Sequence, residues 1–154
     1  MDTDIKQEWR SVKSAFRKYT ENLLYLKTSE LPSVTQEHQL IMEFGSEIKL
    51  VGEYVLKRQA AMEYNKKVVG CVNRLSELER KIIIPSYMNK EYVPPWQIYE
   101  TSHIGRTLFY TTKARAIGKL HVLFLVESLS SEVAVETRKV RTNTEQIELN
   151  MSVK

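Results

Sequence analysis

The amino-acid sequence predicts an all-α protein in which an N-terminal helical region precedes a helix-turn-helix module. Two observations support this fold class. Apolar residues recur at spacings of three and four along most of the chain up to Leu120, which is the periodicity of helices that bury one face. Clusters of proline, glycine and serine interrupt this periodicity, and such residues end helices. The interruptions lie at residues 28–35, 85–95 and 102–105.

The first helix is predicted over residues 2–27, with two shorter helices as the alternative. Its apolar positions are Ile5, Trp9, Val12, Phe16, Tyr19, Leu23 and Leu26. The basic residues Arg17 and Lys18 fall on its outer face, where solvation explains them. Residues 28–35 then break the helix, and Thr35 is suited to cap the next one.

From Gln36 to about Arg74 the sequence predicts one long helix or two collinear helices. An apolar stripe runs through this segment at close to heptad spacing. It consists of Leu40, Phe44, Ile48, Val51, Val55, Met62, Val69 and Val72. Gly52 or residues 65–67 would mark a bend. The stripe has two interpretations, packing against the first helix or pairing between subunits, and we keep both.

Three shorter helices are predicted after residue 74. Residues 75–84 form a helix with an apolar face, ended by Pro85 or by Tyr87-Met88-Asn89. Pro94-Pro95 starts a helix over 96–100, because proline is tolerated at the first helical position. Residues 102–105 then form a turn, and Gly105 caps the third helix. A tight turn between the second and third of three helices is typical of a helix-turn-helix module.

The third of these helices is the segment best suited to nucleic acid. Residues 101–121 contain four basic side chains and no carboxylate, a local charge equal to the net charge of +4 of the whole chain. At about 100° per residue, one side of the helix carries Phe109, Thr112, Ala116 and Leu120. The other side carries Arg106, Thr107, Tyr110, Thr111 and Ala114, with Arg115 at its edge. Leu108 is ambiguous, and an ordinary solvated basic face is the alternative interpretation.

The polar side of this helix has the residue types that read a DNA groove. Arginine bonds guanine edges with two hydrogen bonds, threonine offers a hydroxyl and a methyl, and tyrosine reaches phosphate. We expect base or near-base contacts from Arg106, Thr107, Tyr110 and Thr111. We expect phosphate contacts, which depend on salt concentration, from Lys113, Arg115 and Lys119.

Several motifs lie between Leu75 and Leu120. They are L-S-E-L-E-R-K-I-I from Leu75 to Ile83, Tyr87-Met88, Ile98-Tyr99-Glu100, I-G-R-T-L-F-Y from Ile104 to Tyr110, and K-A-R-A-I-G-K-L from Lys113 to Leu120. In these motifs, which cover roughly a third of the chain, the sequence resembles the region-four type helix-turn-helix of sigma factors. It more specifically resembles the ArpU/RinA group of small phage late-transcription regulators. The resemblance implies a regulator that activates late phage genes in the cytoplasm of a bacterial host.

The chain departs from the pattern of this group at four positions. His103 stands where the turn glycine is usual, Gly105 where a capping serine is usual, and Ser102 where an apolar residue is usual. Pro85 is unusual in the first helix of the module. These departures bear on the geometry of the turn and on the helix ends.

The chain after Leu120 changes character twice. Residues 121–126, His-Val-Leu-Phe-Leu-Val, are strongly apolar and are expected to extend the third helix into the core, with a short strand as the alternative. Residues 127–154 are polar and rich in serine and threonine, and they form either a flexible tail or short edge strands.

Residues typical of catalytic or metal sites are sparse. The only aspartates, Asp2 and Asp4, lie at the extreme N-terminus, so the aspartate clusters that hold Mg²⁺ in nucleases are absent from the sequence. The histidines show no ligand spacing with Cys71; they are His38, His103 and His121. A single cysteine excludes an internal disulfide and is best explained as a small core residue. We predict that the chain is not an enzyme and uses no cofactor.

Two functions of different classes follow from these observations. The first is a sequence-specific transcriptional regulator that binds double-stranded DNA as a homo-oligomer, a dimer or tetramer. RNA polymerase is a candidate further partner, and whether it is contacted stays open. The second is a helical protein-interaction or DNA-packaging module, like a small terminase subunit, whose helix-turn-helix is scaffold. In either case, the expected organisation has three parts. They are an N-terminal helical and oligomerisation region at 1–74, a DNA-binding module at 75–126 and a polar tail at 127–154.

No apolar run approaches a membrane span, and the charged N-terminal residues do not suit a signal peptide, so no membrane partner is expected.

Overall fold

The described part of the computed structural model, residues 2–43 and 52–129, is mostly helical, which confirms the all-α class. The α-helices are α1 (Asp2–Asn22), α2 (Glu53–Asn73), α3 (Glu77–Ile83), α4 (Pro95–Thr101) and α5 (Arg106–Val126). Two 3₁₀ turns follow α1 at Leu23–Tyr25 and Thr28–Glu30, and a π-helical turn, Ile84–Met88, follows α3. A two-stranded antiparallel hairpin pairs β1 (Ser33–Val34) with β2 (Leu40–Ile41).

The first helix follows its predicted apolar periodicity. Val12, Phe16 and Tyr19 are buried, and Ile5 is 51 % exposed near the start of the helix. The predicted single helix to residue 27 is slightly too long, because the chain tightens into a 3₁₀ turn after Asn22. The break predicted after it is confirmed by the second 3₁₀ turn and the hairpin that follow.

The helix predicted from Gln36 is wrong over residues 36–43, because residues 36–41 belong to the hairpin and residues 42–43 are not helical. Thr35 closes the hairpin turn: its amide donates to the carbonyl of Gln39 at 2.9 Å, and its hydroxyl accepts from the amide of Gln39 at 3.1 Å. The side-chain amide of Asn73 then pairs with both backbone groups of Leu40, at 2.8 and 2.9 Å. These contacts come from distant residues, so the local apolar spacing could not reveal them. Phe44, Ile48 and Val51 of the predicted stripe lie outside the described residues.

The second helix begins directly after its N-cap Gly52, one of the two places where the sequence predicts a bend. Gly52 has φ +67°, a left-handed conformation that suits glycine. The helix then runs through residues 65–67, the alternative position, without a break. Of the predicted stripe on this helix, Val69 and Val72 are buried, whereas Val55 is 45 % exposed.

The main hydrophobic core joins α1, α2, the end of α3 and the second half of α5. Phe16 is at its centre, where it stacks on Tyr87 with ring centroids 5.3 Å apart and meets the edge of Phe124 at 5.5 Å. Other fully buried members are Val12, Val68, Val72, Ile83, Ile117 and Leu120. The apolar segment 121–126 is therefore helical, as expected, and its Phe124 enters the core.

A smaller core joins α3, α4 and the first half of α5. Each helix contributes one buried residue: Ile82, Ile98 and Phe109. The predicted starts of α4 and α5 are confirmed, with Pro95 in the first turn of α4 and Gly105 at the N-cap of α5, whereas α3 begins at Glu77, two residues later than predicted. The α-helical part of α3 ends at Ile83, before Pro85, and the chain continues as the π-helical turn.

Candidate nucleic-acid interface

The turn between α4 and α5 sets the direction of the basic helix. The amide of Ile104 donates to the carbonyl of Tyr99 at 3.0 Å, and the amide of His103 donates to that of Glu100 at 3.1 Å. This pair of bonds defines a Schellman motif, which usually has glycine in the left-handed position. His103 occupies that position with φ 57°. His103 was the position where the sequence departs from the usual turn glycine. The turn forms with histidine at that position.

The burial of α5 agrees with the predicted division into two sides. Phe109, Thr112, Ala116 and Leu120 are all buried, at most 1 % exposed. Arg106, Thr107, Tyr110, Thr111 and Ala114 are exposed, and so is Arg115. Leu108 also points outward, with 46 % of its surface exposed. The first half of α5 therefore presents one continuous polar surface, named here the exposed face, which is held from behind by Phe109.

Two side chains of the exposed face form a local pair. The guanidinium of Arg106 lies 5.8 Å from the ring centroid of Tyr110, one helical turn later. Tyr110 in turn meets Phe109 edge to ring at 5.0 Å. A cation over an aromatic ring gains roughly 0.5–1 kcal/mol at an exposed site, so the arginine is biased toward one position while its hydrogen-bond donors remain accessible.

Lys113, predicted as a phosphate contact, lies at the edge of the exposed face among aromatic rings. Its Nζ is 5.3 Å from the ring centroid of Tyr87, 5.5 Å from that of Trp9 and 5.7 Å from that of Phe109. Burial lowers the pKa of this amine, and the nearby charge of Lys13 lowers the pKa further. Lys113 is therefore half-buried, with another cation beside it and no ion pair among the described residues.

Lys119, also predicted as a phosphate contact, is already paired within the chain. Its Nζ lies 3.0 Å from each carboxylate oxygen of Glu79 on α3, donating a hydrogen bond to Oε1. Burial alone would raise the pKa of Glu79, but hydrogen bonds from the Ser76 amide and from Lys119 outweigh it and hold that pKa below its usual range. Glu79 also completes a capping box with Ser76 at the start of α3, so Lys119 connects α5 to the first turn of α3.

The predicted site residues thus fall into two groups. Arg106, Thr107, Tyr110, Thr111 and Arg115 are exposed on the first half of α5, whereas Lys113 and Lys119 have intramolecular contacts. Sequence reasoning overlooked Lys13 of α1, whose Nζ is 5.8 Å from the Trp9 ring centroid, beside Lys113. The signal that would have found it is the regular spacing of basic residues on α1, from Lys6 to Arg17.

Metal-ligating side chains do not gather anywhere in residues 2–43 and 52–129: no three histidine, cysteine or acidic groups there stand close enough to share an ion. Over the same residues, no helix combines the length and the apolar content that crossing a bilayer requires.

The sequence and structure of the chain were compared with known proteins. No protein-family model, no curated protein and no solved structure matches the chain. The resemblance to the ArpU/RinA group therefore stays a prediction based on the motifs between Leu75 and Leu120.

Proposed function

We propose that the chain is a sequence-specific DNA-binding transcriptional regulator in which α3, α4 and α5 act as a sigma region-four-like helix-turn-helix. The observation that carries the proposal is the exposed face of α5. It begins directly after a tight turn, is anchored by the buried Phe109 and presents Arg106, Thr107, Tyr110 and Thr111 to solvent. In such modules the second helix of the turn enters the major groove with its N-terminal residues toward the base edges.

The chemistry of the exposed face favours a nucleic-acid partner over a simple solvated surface. No carboxylate occurs between Thr101 and His121, whereas solvated helix faces usually mix both signs of charge. Arginine pairs with guanine through two hydrogen bonds, and threonine contacts the thymine methyl group or a base edge. We assign base or near-base contacts to Arg106, Thr107, Tyr110 and Thr111.

Phosphate contacts belong to the basic residues at the border of the exposed face. Arg115 is exposed and has no ion pair in the described part of the chain, so its charge is available to a phosphate. Lys113 and Lys119 would contact phosphate only in part, because aromatic rings surround the first and Glu79 holds the second. Arg115 is accordingly the strongest candidate of the three.

The resemblance to the ArpU/RinA group extends the proposal to activation of late phage genes, with RNA polymerase as a further partner. A homo-oligomer, dimer or tetramer, would let two copies of α5 read paired half-sites about one turn of DNA apart. Exposed apolar side chains at the start of α2, Tyr54, Val55 and Leu56, support a role of the N-terminal region in such an assembly.

The test is a binding titration by fluorescence anisotropy with duplexes from the DNA flanking the gene and from unrelated sequence, at two salt concentrations. Arg106→Ala should weaken specific binding by about 1–3 kcal/mol, roughly 5- to 150-fold in Kd, and relax the sequence preference. Arg74→Ala is the matched control, because this exposed arginine lines a groove with Glu127 at the far end of α5. We expect it to leave the sequence preference unchanged.

An Arg106→Ala protein with the wild-type isotherm on specific DNA would refute the assignment of this residue. A wild-type chain that binds DNA weakly and without regard to sequence would refute the regulator. The helical interaction or DNA-packaging module would then take its place, and a ring-forming assembly in a light-scattering measurement would support that alternative.

A further inference from the structure

The first helix carries a second basic surface, which we call the α1 stripe. Its members are Lys6, Arg10, Lys13 and Arg17. Spacings of four, three and four residues place them within about 60° of one another around a helix of 100° per residue. All four side chains are exposed, and they lie opposite the buried side of α1 formed by Val12, Ala15 and Tyr19. Among the residues the structure describes, no carboxylate forms an ion pair with the stripe.

The α1 stripe borders the exposed face of α5. Trp9 joins the two surfaces, since the Nζ atoms of Lys13 and Lys113 lie 5.8 and 5.5 Å from its ring centroid. The two helices run in the same direction, because Trp9 meets Lys113 and, further along both helices, Phe16 meets Phe124. The first half of the stripe therefore lies beside the first half of α5, which carries the exposed face.

In the part of the chain that the structure describes, no carboxylate forms an ion pair with the charges at this junction. Lys13 and Lys113 carry the same charge near one indole ring, and Ile5, Lys6 and Arg10 line a shallow groove with Trp9 and Lys13. A bound anion would relieve the repulsion between the two lysines. From Lys6 to Arg17 the stripe extends for about 16 Å along the helix axis, at about 1.5 Å per residue. That length allows contact with several phosphates, because each strand of B-DNA carries one about every 3.4 Å of its axis.

We propose that the α1 stripe binds the phosphate backbone of the same DNA duplex whose major groove receives α5. This inference rests on the proposed function, and it adds α1 as a second element of the DNA interface. The duplex is the favoured partner because the stripe is continuous, through Lys13 and Lys113, with the carboxylate-free face of α5. The stripe contributes affinity without sequence information, because phosphate contacts position a protein on DNA and base contacts specify the site.

The experiment measures how the binding constant varies with salt concentration. The test variant combines Lys6→Ala, Arg10→Ala and Lys13→Ala, and Lys13→Gln is tested alone. The charge-matched control combines Lys66→Ala, Lys67→Ala and Arg74→Ala, three basic residues that line a groove on α2. Circular dichroism and the Tm of each variant verify the fold. All titrations use one specific and one unrelated duplex.

The slope of log K against log salt is negative, and each phosphate contact contributes about 0.9 to its magnitude. Removing three contacts should therefore reduce that magnitude by about 2.7, and Lys13→Gln should reduce it by about 0.9. The ratio of specific to unrelated binding should stay at the wild-type value, and the control triple should keep the wild-type slope. An unchanged slope in the α1 variants, or an equal loss in both triples, would overturn the role of the stripe. The effect of Arg106→Ala on the specific duplex separates that result from a failure of the proposed function itself.

Discussion

Replacing Lys119 by methionine tests whether this lysine stabilises the fold or chiefly contacts phosphate. Its Nζ is 3.0 Å from both oxygens of Glu79, and the Glu79 side chain is only 2 % exposed. Within the described residues, Oε2 accepts no hydrogen bond and is balanced by the ion pair alone. A hydrogen bond to a charged group contributes about 1.5–3 kcal/mol, and an exposed ion pair about 0–1 kcal/mol. Because Lys119 is itself half-exposed, we expect Lys119→Met to cost about 1–2 kcal/mol at pH 7.

The pH dependence of this loss identifies its cause. Glu79 has a pKa below its usual range in the folded chain, so its contribution to stability is present above the unfolded pKa and disappears as the pH falls through the folded pKa. In Lys119→Met the pKa of Glu79 should rise, because burial still raises it and only the Ser76 bonds oppose that effect. Once the carboxyl is protonated in both proteins, the difference in unfolding free energy should largely vanish.

The assay is urea unfolding followed by circular dichroism at pH 7 and pH 3. Lys66→Met on α2 is the control, because Lys66 is exposed and has no ion pair in the described residues. A double-mutant cycle with Glu79→Gln isolates the pair from other effects of the substitutions. Equal losses at both pH values would refute the electrostatic explanation, since they would show that lost packing causes the change. The alternative outcome is that Lys119→Met leaves the unfolding free energy at pH 7 unchanged and reduces the salt dependence of DNA binding. That result would support the predicted role of Lys119 as a phosphate contact.

Two further predictions concern the turn and the buried thiol. His103→Gly should raise the unfolding free energy by about 0.5–1 kcal/mol, because it removes the cost of a left-handed side-chain residue, and His103→Ala, which retains that cost, should not. Burial, with the charge of Glu127 adding to it, raises the pKa of Cys71 from 9 to about 11. At pH 8 the native thiol should therefore react with iodoacetamide roughly 100-fold more slowly than an unperturbed thiol. A native alkylation rate equal to that in urea would contradict the raised pKa. The contribution of Cys71 to stability should be lost as the pH rises from about 9 to 11, because a raised acid pKa favours the folded state only below that window.

Local sequence was sufficient to identify the buried sides of α1 and α5, but not that of α2, where Val55 of the predicted stripe is exposed. The periodicity of α1 placed Val12, Phe16 and Tyr19 in the core, and the division of α5 into buried and exposed sides agrees with the structure. The turn before α5 was also predicted from local sequence, with Gly105 as the N-cap, although its left-handed residue is His103. In these places the local preference and the tertiary packing favour the same conformation.

The hairpin at residues 33–41 could not be predicted from local sequence, because side chains distant in the sequence stabilise it. Leu40 is held by Asn73, and the carbonyls of Glu37 and His38 accept from the guanidinium of Arg80 at 3.0 and 2.9 Å. No spacing within residues 36–43 encodes such partners, and their apolar residues fitted a helical stripe equally well. Thr35 was predicted to cap the next helix, but its hydroxyl closes the hairpin turn instead.

The buried ion pair between Glu30 and Arg58 was equally beyond sequence reasoning. Two short contacts, 2.8 Å to Oε1 and 2.7 Å to Oε2, join the guanidinium to the carboxylate, and the carbonyl of Tyr25 accepts a further bond at 2.7 Å. The pair fastens the 3₁₀ turns after α1 to the second turn of α2. In the sequence, both residues resemble ordinary surface charges, because charged residues are seldom buried unless they are paired.

The two cores hold different halves of α5. Phe109 packs in the small core with Ile82 and Ile98, whereas Ile117, Leu120 and Phe124 pack in the main core against α1 and α2. The main core thus continues across the sequence boundary predicted between residues 74 and 75. Because α1 supplies Phe16 to that core and the α1 stripe to the surface beside Lys113, one helix both supports α5 and flanks its exposed face. Any movement of α1 relative to α5 would therefore change the spacing between the two basic surfaces, and under the proposed function this would connect the N-terminal region directly to DNA affinity.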